Sequence, residues 1–180
     1  MVIELITERL ILRPVTEAHC NETYLSWLKD KETTQYLESQ LYEHTIDSIK
    51  SFVKNSTNDH TLFLAIHKKD NMKHIGNIKI ENIHKIHQTA EYGILMGEKN
   101  ELGKGYAKEA STAIIDFSFN NLNFRKITLG VISENINALS LYLKLGFKIE
   151  GILNKHYLYG GKYRDAIRMA LFKDEWTIKK

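Results

Sequence analysis

The sequence predicts a single mixed α/β domain over residues 1–180, with helices on both faces of one sheet. Three observations predict it. Polar and apolar residues alternate with a period of two through most of residues 61–96; strand, helix, strand, helix and strand patterns then follow in turn; and no repeat, low-complexity tract or Pro/Gly/Ser linker divides the chain, whose only proline is Pro14. With 180 residues, 43% hydrophobic and 26% charged, the chain can bury one sizeable core and has neither a disordered nor a fibrous composition.

In chain order, Leu10-Ile11-Leu12-Arg13 reads as a short strand ended by Pro14. The polar start Thr16-Glu17 opens a helical stretch to about Lys29, with Tyr24, Leu25 and Leu28 at helical spacing, and a second helix covers Asp47 to Lys54 with Ile49, Phe52 and Val53 inward. Strands are predicted at Thr61–Ile66, His74–Glu81 and Thr89–Met96, an antiparallel meander joined by turns such as Lys69-Asp70-Asn71. Tyr106, Ala110, Ala113, Ile114 and Phe117 recur every three or four residues, an amphipathic helix. Ile127–Ile132 is a strand, and Ala138, Leu141, Tyr142 and Leu145 line a shorter helix that stops at Gly146 as a left-handed cap. The tail reads as strands near Phe147–Glu150, Lys155–Tyr159 and Ala166–Phe172, with Gly160-Gly161 as a hairpin turn.

Composition narrows the partners. The amino terminus lacks a signal sequence and no apolar run has membrane-spanning length, so a cytoplasmic protein without a membrane partner is expected. Lone Cys20 forms no internal disulfide and reads as a small buried hydrophobe. A net charge of +3 with dispersed Lys and Arg argues against nucleic acid. His84-Lys85-Ile86-His87 sits in a polar connection without Cys or acidic partners at ligand spacing, so no metal is predicted.

Residues 96–107 run from a strand through Gly103-Lys104-Gly105 into a helix. Exposed amides at a helix N-terminus suit an anionic diphosphate, and two glycines let the backbone come close; alone, the pattern equally fits an ordinary strand-to-helix turn. A second unit, Asn135-Ile136-Asn137-Ala138 followed by Tyr142 and Gly146-Phe147, comes some thirty residues later. Together the two closely resemble the GNAT acetyltransferase superfamily. The first matches the family's Gln/Arg-x-x-Gly-x-Gly/Ala loop, with Asn100 in the first place; the second matches Asn-x-x-Ala, Tyr and Gly-Phe without gaps. Thr7-Glu8-Arg9-Leu10-Ile11-Leu12-Arg13-Pro14 is similar to the opening of the Rim-type branch, the ribosomal-protein N-terminal acetyltransferases, and Gly151-Ile152-Leu153 with Tyr163–Met169 to the closing strands of that branch and of bacterial spermidine acetyltransferases.

The resemblance implies the GNAT fold: one mixed, mostly antiparallel sheet of about seven strands, splayed in a V between the fourth and fifth. It implies acetyl-CoA as cosubstrate, held by main-chain groups of Ile94, Leu95 and Met96, by Asn100, Leu102, Gly103, Lys104, Gly105, Tyr106 and Ala107, and by Asn135, Ala138 and Tyr142. An amine attacking a thioester needs donors for the oxyanion, an acid for the sulfur and a route for the amine proton. Family position assigns the acid to Tyr142, which would otherwise be a core aromatic, and the base to Glu91, directly or through water; a solvated strand-face carboxylate is the equal alternative for Glu91. A homodimer is compatible with the resemblance.

The acceptor stays open among a polyamine or other small amine, a protein N-terminus and an amino sugar. A lysine-like amine is neutral at pH 7 in only about one molecule in 2,500, so a polyamine site needs assistance. Residues 15–48 hold seven carboxylates against Lys29 and Lys31 alone, a net −5 that leaves +8 for the rest. Glu32, Glu38 and Glu43 are therefore the candidate acceptor-attracting groups. Hydroxyl acetylation is disfavoured, since no positioned His base is evident. A reading from another class is a non-catalytic acyl-CoA-binding sensor or scaffold.

Overall fold

The strands are β1 (Leu5–Ile6), β2 (Leu10–Pro14), β3 (Leu62–Lys68), β4 (His74–His84), β5 (Thr89–Met96), β6 (Lys126–Ile132), β7 (Lys148–Tyr159) and β8 (Lys162–Phe172). In this computed structural model, which describes residues 3–56 and 58–176, they form one sheet in the order β1-β2-β3-β4-β5-β6-β8-β7. The helices are α1 (Glu22–Lys29), α2 (Lys31–Thr34), α3 (Ile46–Asn55), α4 (Tyr106–Asn120) and α5 (Ile136–Leu145). No helix among the described residues is long and apolar enough to cross a membrane.

Two hydrophobic clusters flank the sheet. One joins Tyr106, Ala110, Ile114 and Phe119 of α4 and Tyr142 and Leu145 of α5 to inward residues of the strands, among them Leu12, Ile66, Ile78, Tyr92, Leu129 and Met169. The other seats Tyr24, Leu25 and Trp27 of α1 and Ile49 and Val53 of α3 against Ala65 of β3. Fully burying one such Leu, Ile or Phe side chain contributes about 1.5–3 kcal/mol, so helices of intrinsically marginal length are held by these faces.

Several sequence expectations are corrected. The sheet has eight strands rather than about seven, because the two-residue β1 pairs with β2 through Leu5–Leu12 and Ile6–Ile11. The helix expected from Thr16 to Lys29 is broken into a single turn at Glu17–His19 and then α1. The break comes from Asn21, whose side-chain oxygen accepts from the N–H groups of Thr23 and Tyr24 at 3.1 and 3.2 Å and so starts a new helix. The short α2 and the turn at Glu38–Leu41 carry little apolar periodicity and were not anticipated. The two tail strands at 147–150 and 155–159 are one strand, β7, with register shifts at 149/151 and 153/157. At the second, Lys155 takes a φ of 51° and its N–H is held by Asp165 Oδ1 at 2.7 Å. Gly160 and Gly161 turn the hairpin with φ of 58° and 72°.

Every neighbouring pair of strands is antiparallel except β5 and β6. These two are parallel and touch only where Thr89, Ala90 and Glu91 face Lys126, Ile127 and Thr128. Beyond Glu91, β5 stays with β4 and β6 stays with β8, so the sheet opens as a wedge. α4 follows β5 and α5 follows β6, which places both helix N-termini at the open end.

Candidate active site

The wedge and the two helix starts define the site. Gly97 N–H bonds Ile75 O at 3.0 Å on the β4 side; main-chain groups alternate along a strand, so those of Ile94 and Met96 turn into the wedge while those of Leu95 turn toward β4. The Leu95 side chain is on the α1–α3 face, against the cluster of Tyr24 and Trp27.

From β5 the chain makes a tight turn at Lys99–Glu101 and reaches α4 through Leu102, Gly103, Lys104 and Gly105. Gly103 and Gly105 have φ of 76° and 84°, in the left-handed region where an L side chain is strained. Gly105 is the N-cap of α4, and the first intrahelical acceptor is its carbonyl, taken by Glu109 N–H at 3.1 Å. The amides of Tyr106, Ala107 and Lys108 precede that bond and supply the outward donors of a first turn. Asn100, Leu102 and Lys104 are exposed, while Tyr106 is buried and Ala107 half-buried. Lys104 Nζ is held by the buried Glu101 at 2.9 Å, and Lys68 reaches the same carboxyl at 3.5 Å. Those lysines hold the Glu101 carboxyl below its usual range, and Lys104 contributes most. With Asp70 3.3 Å from Lys68, these groups form an ion-pair cluster around the Glu101 carboxyl.

On the β6 side, Asn135 caps α5, its oxygen accepting from Ala138 N–H at 3.2 Å. Ala138 is partly buried against the core, and one turn further on Tyr142 stands edge-on to Tyr92, ring centroids 5.8 Å apart. Burial pushes the Tyr142 phenol up to about 12. Its hydroxyl makes no hydrogen bond with any described residue and is not among the enclosed unpartnered polar atoms. By contrast, Tyr92 is spent on structure: its hydroxyl meets Ser111 Oγ at 2.6 Å, and Ser111 donates to Ala107 O.

Glu91 lies at the vertex of the wedge, on the sheet face opposite Tyr92 and Tyr142. Both its oxygens are engaged, Oε1 by Arg168 at 2.7 Å and Oε2 by the side-chain amide of Asn82 at 3.1 Å. Arg168 lies flat over Gly130, where an added Cβ would sit 2.9 Å from its Nη1. Sequence reading missed Arg168; the signal was Gly130 in the middle of a strand rich in β-branched residues. It also missed Trp27, which covers Gly97 at the end of β5 so closely that a Cβ there would lie 1.9 Å from the ring.

The acidic segment is less acidic in space than in sequence. Lys99, from the loop after β5, pairs with Asp30 at 3.0 Å and Glu32 at 2.7 Å, and Lys50 pairs with Glu17 at 3.0 Å. Asp30 is held down at about 2 by bonds from Thr33 and then Lys99. Glu38 and Glu43 form no ion pair among the described residues. Glu38 is close enough to Tyr159 to help burial raise that phenol to about 12. Glu43 lines an open cavity of about 670 Å³ with Lys29, Lys31, Gln35, Tyr42 and His44. The three candidate carboxylates thus fall in three settings rather than one pocket. His84 and His87 stack at 4.1 Å, and no group of three or more His, Cys, Asp or Glu among the described residues is placed to hold a metal ion.

Comparison with known proteins bears on this geometry. Residues 9–148 match the family model described as "Acetyltransferase (GNAT) domain". The chain is 37% identical over 104 residues to the spermidine N(1)-acetyltransferase of Escherichia coli (strain K12), covering 58% of this chain and 55% of that protein. Against the Vibrio cholerae counterpart it is 35% identical over 102 residues, 57% of this chain and 58% of the other. The chain thus spans little more than half the length of these curated relatives. It is 29% identical over 176 residues, 96% and 98% of the two chains, to the Bacillus licheniformis protein named "Uncharacterized N-acetyltransferase p20". Among solved structures, the spermidine N-acetyltransferase from Vibrio cholerae in complex with CoA and spermine superposes with a TM-score of 0.85 at 25% identity, covering 94% of this chain and 98% of that one.

Proposed function

The chain belongs to the GNAT acetyltransferase family, and from that premise we propose that it carries acetyl from acetyl-CoA to the primary amine of a small cationic acceptor of the polyamine type. The expected GNAT fold holds with that membership. In this reading residues 1–180 act as one cytoplasmic acetyltransferase domain, and a homodimer forms on the outer strand β7, which exposes Ile149, Ile152 and Leu158. The observation that carries the reaction is the wedge between β5 and β6, with Tyr142 at one wall and the Gly103–Gly105 helix start at its mouth.

The diphosphate of acetyl-CoA sits on the amides around Gly103, Gly105 and Tyr106, near Lys104 and Asn100. Its pantetheine arm lies along Ile94 and Met96 as an added strand, with Ala138 and Asn135 on the other side, and a main-chain N–H of β5 polarises the thioester carbonyl. A neutral amine adds to that carbonyl; the tetrahedral oxyanion collapses, the C–S bond breaks, and the amine loses a proton. A phenol near 12 is fully protonated at neutral pH, so Tyr142 offers its hydrogen to the developing thiolate. A thiol titrates near 8.5, so complete transfer from Tyr142 is uphill; the residue acts as a hydrogen-bond donor to the departing sulfur, which leaves as thiolate and takes its proton from solvent. Glu91, at the vertex, receives the amine's proton through water.

The acceptor reading draws on the partial identity to spermidine acetyltransferases, on the spermine in the Vibrio structure, and on Glu38 and Glu43, which form no ion pair among the described residues. The opening motif's similarity to Rim-type enzymes supports a protein N-terminus as the second reading. The test is CoA release measured over a panel of spermidine, spermine, an amino sugar and a peptide with a free α-amine. Acceleration by the polyamines alone is the expected result. Acceleration by the peptide alone would move the assignment to N-termini, and CoA binding without acceleration by any amine would leave only the sensor reading.

A further inference from the structure

The opening motif Thr7-Glu8-Arg9-Leu10 has no part in the reaction above, yet it lies against the first turn of α4. The Glu109 carboxylate, the fourth residue of that helix, accepts from Thr7 Oγ1 at 2.6 Å and the Arg9 main-chain N–H at 2.8 Å. It also accepts from Arg9 Nε and Nη2, each at 2.7 Å. The remaining arm of the guanidinium, Nη1, donates to the carbonyl of Lys104 at 3.0 Å, and its carbon stands 4.6 Å from the Tyr106 ring centre.

Two consequences follow for the glycine loop. A trans peptide is planar, with its C=O and N–H pointing in opposite directions, so anchoring the Lys104 carbonyl to Arg9 fixes the Gly105 N–H away from β2, toward the outer side of the loop. A carboxylate in a first turn stabilises a helix but competes with any external anion for the same positive end; Arg9 cancels that charge on the spot. Both partners stay ionised. Burial works against Glu109, but the bonds from Thr7 and Arg9 outweigh it and hold its carboxyl below the ordinary range, while the bond to Glu109 raises the Arg9 guanidinium further.

We infer that Arg9 is a positioning residue for the diphosphate of the acyl-CoA cosubstrate, orienting the Gly105 amide and neutralising Glu109. The inference rests on the reading of the glycine loop as the diphosphate site. A latch that merely ties the β1–β2 segment to α4 would not distinguish ligands, so the test compares CoA with pantetheine, which shares the arm and lacks the diphosphate. Both are titrated calorimetrically against the whole chain, wild type and variants, with folding checked by circular dichroism. Loss of one charge-assisted contact predicts a rise in the CoA Kd of roughly tenfold for Arg9→Gln. For Arg9→Lys, which keeps the charge without the fork, the rise is about threefold, and pantetheine affinity is unmoved in both. Thr7→Val weakens only the latch and is expected to lower thermal stability with the CoA-to-pantetheine ratio intact. Should Arg9→Gln not fold, Arg9→Lys carries the test. A wild-type ratio near one would overturn the loop reading itself; a high wild-type ratio that the Arg9 variants preserve, or equal losses for both ligands, would overturn the role of Arg9 alone.

Discussion

Gly97→Ala probes how the helical cover is fitted to the end of β5. The new Cβ would fall 1.9 Å from Trp27 Cδ2 and 2.3 Å from two further ring carbons, distances no side chain tolerates, so either the indole or the strand end must move. The indole is hemmed in: it is 5% exposed, with the His74 ring 4.8 Å and the Tyr24 ring 5.8 Å from it. Overpacking of this kind costs about 1–3 kcal/mol. For a chain of this size each kcal/mol moves Tm by about 2–4 °C, so a fall of roughly 2–12 °C is expected by calorimetry or scanning fluorimetry. Trp27→Leu makes room for the methyl group. The double variant should then be more stable than the sum of the two single effects implies, by about 1–2 kcal/mol in urea unfolding. A Gly97→Ala protein melting with the wild type, or single effects that simply add, would refute the contact and with it the account of how α1 is registered on the sheet.

Further outcomes are expected elsewhere. Tyr142→Phe should lower kcat by roughly a hundredfold while leaving Tm unchanged, because the hydroxyl holds no bond among the described residues; steady-state rates and a melting curve check both halves. Glu91→Gln should lower kcat/KM by roughly a hundredfold, and Arg168→Gln, which removes the partner holding Glu91 Oε1 at 2.7 Å, by a smaller factor; an unchanged kcat/KM in Glu91→Gln removes that carboxylate from proton transfer. His67 and His74 are both depressed from 6.5 to about 4, by burial first, so the folded chain resists their protonation. Their stabilising contribution is whole above pH 6.5 and is lost as pH falls toward 4. Tm should drop through that window, less so in His67→Leu, and a pH-independent Tm there contradicts the burial of the histidine cluster.

The strong periodicities of the sequence carried over almost unchanged: β5 runs from Thr89 to Met96 as expected, and α4 begins just after Gly105. These segments are long, and their caps and glycines are local signals. What was illegible depended on partners distant in the chain. A carboxylate count made residues 15–48 look uniformly acidic, but Lys99 and Lys50 neutralise part of that charge from outside the α1–α2 segment or from the next helix. Glu91 could be placed on its strand, yet its bond to Arg168 joins residues 77 positions apart. The break at Asn21 was overridden by apolar spacing that continued through it, since a side chain capturing two amides leaves the hydrophobic pattern untouched. Asn135 illustrates the converse: the family resemblance marked it for the cosubstrate, and the fold also employs it as the cap that starts α5.

The separation of β5 from β6 after three residue pairs has a thermodynamic side. It leaves an interrupted hydrogen-bond ladder in the middle of the sheet, with two inward-facing edges whose polar groups are satisfied by solvent in the absence of a guest. An exposed edge on the outside of a protein invites association with other chains; these two edges instead face each other within one sheet. Whatever repairs the gap binds the native state and not the unfolded chain, so the melting temperature should climb with its concentration as mass action requires. A strand-like guest would complete that ladder, and the rise in stability it brings would measure what the open sheet gives up.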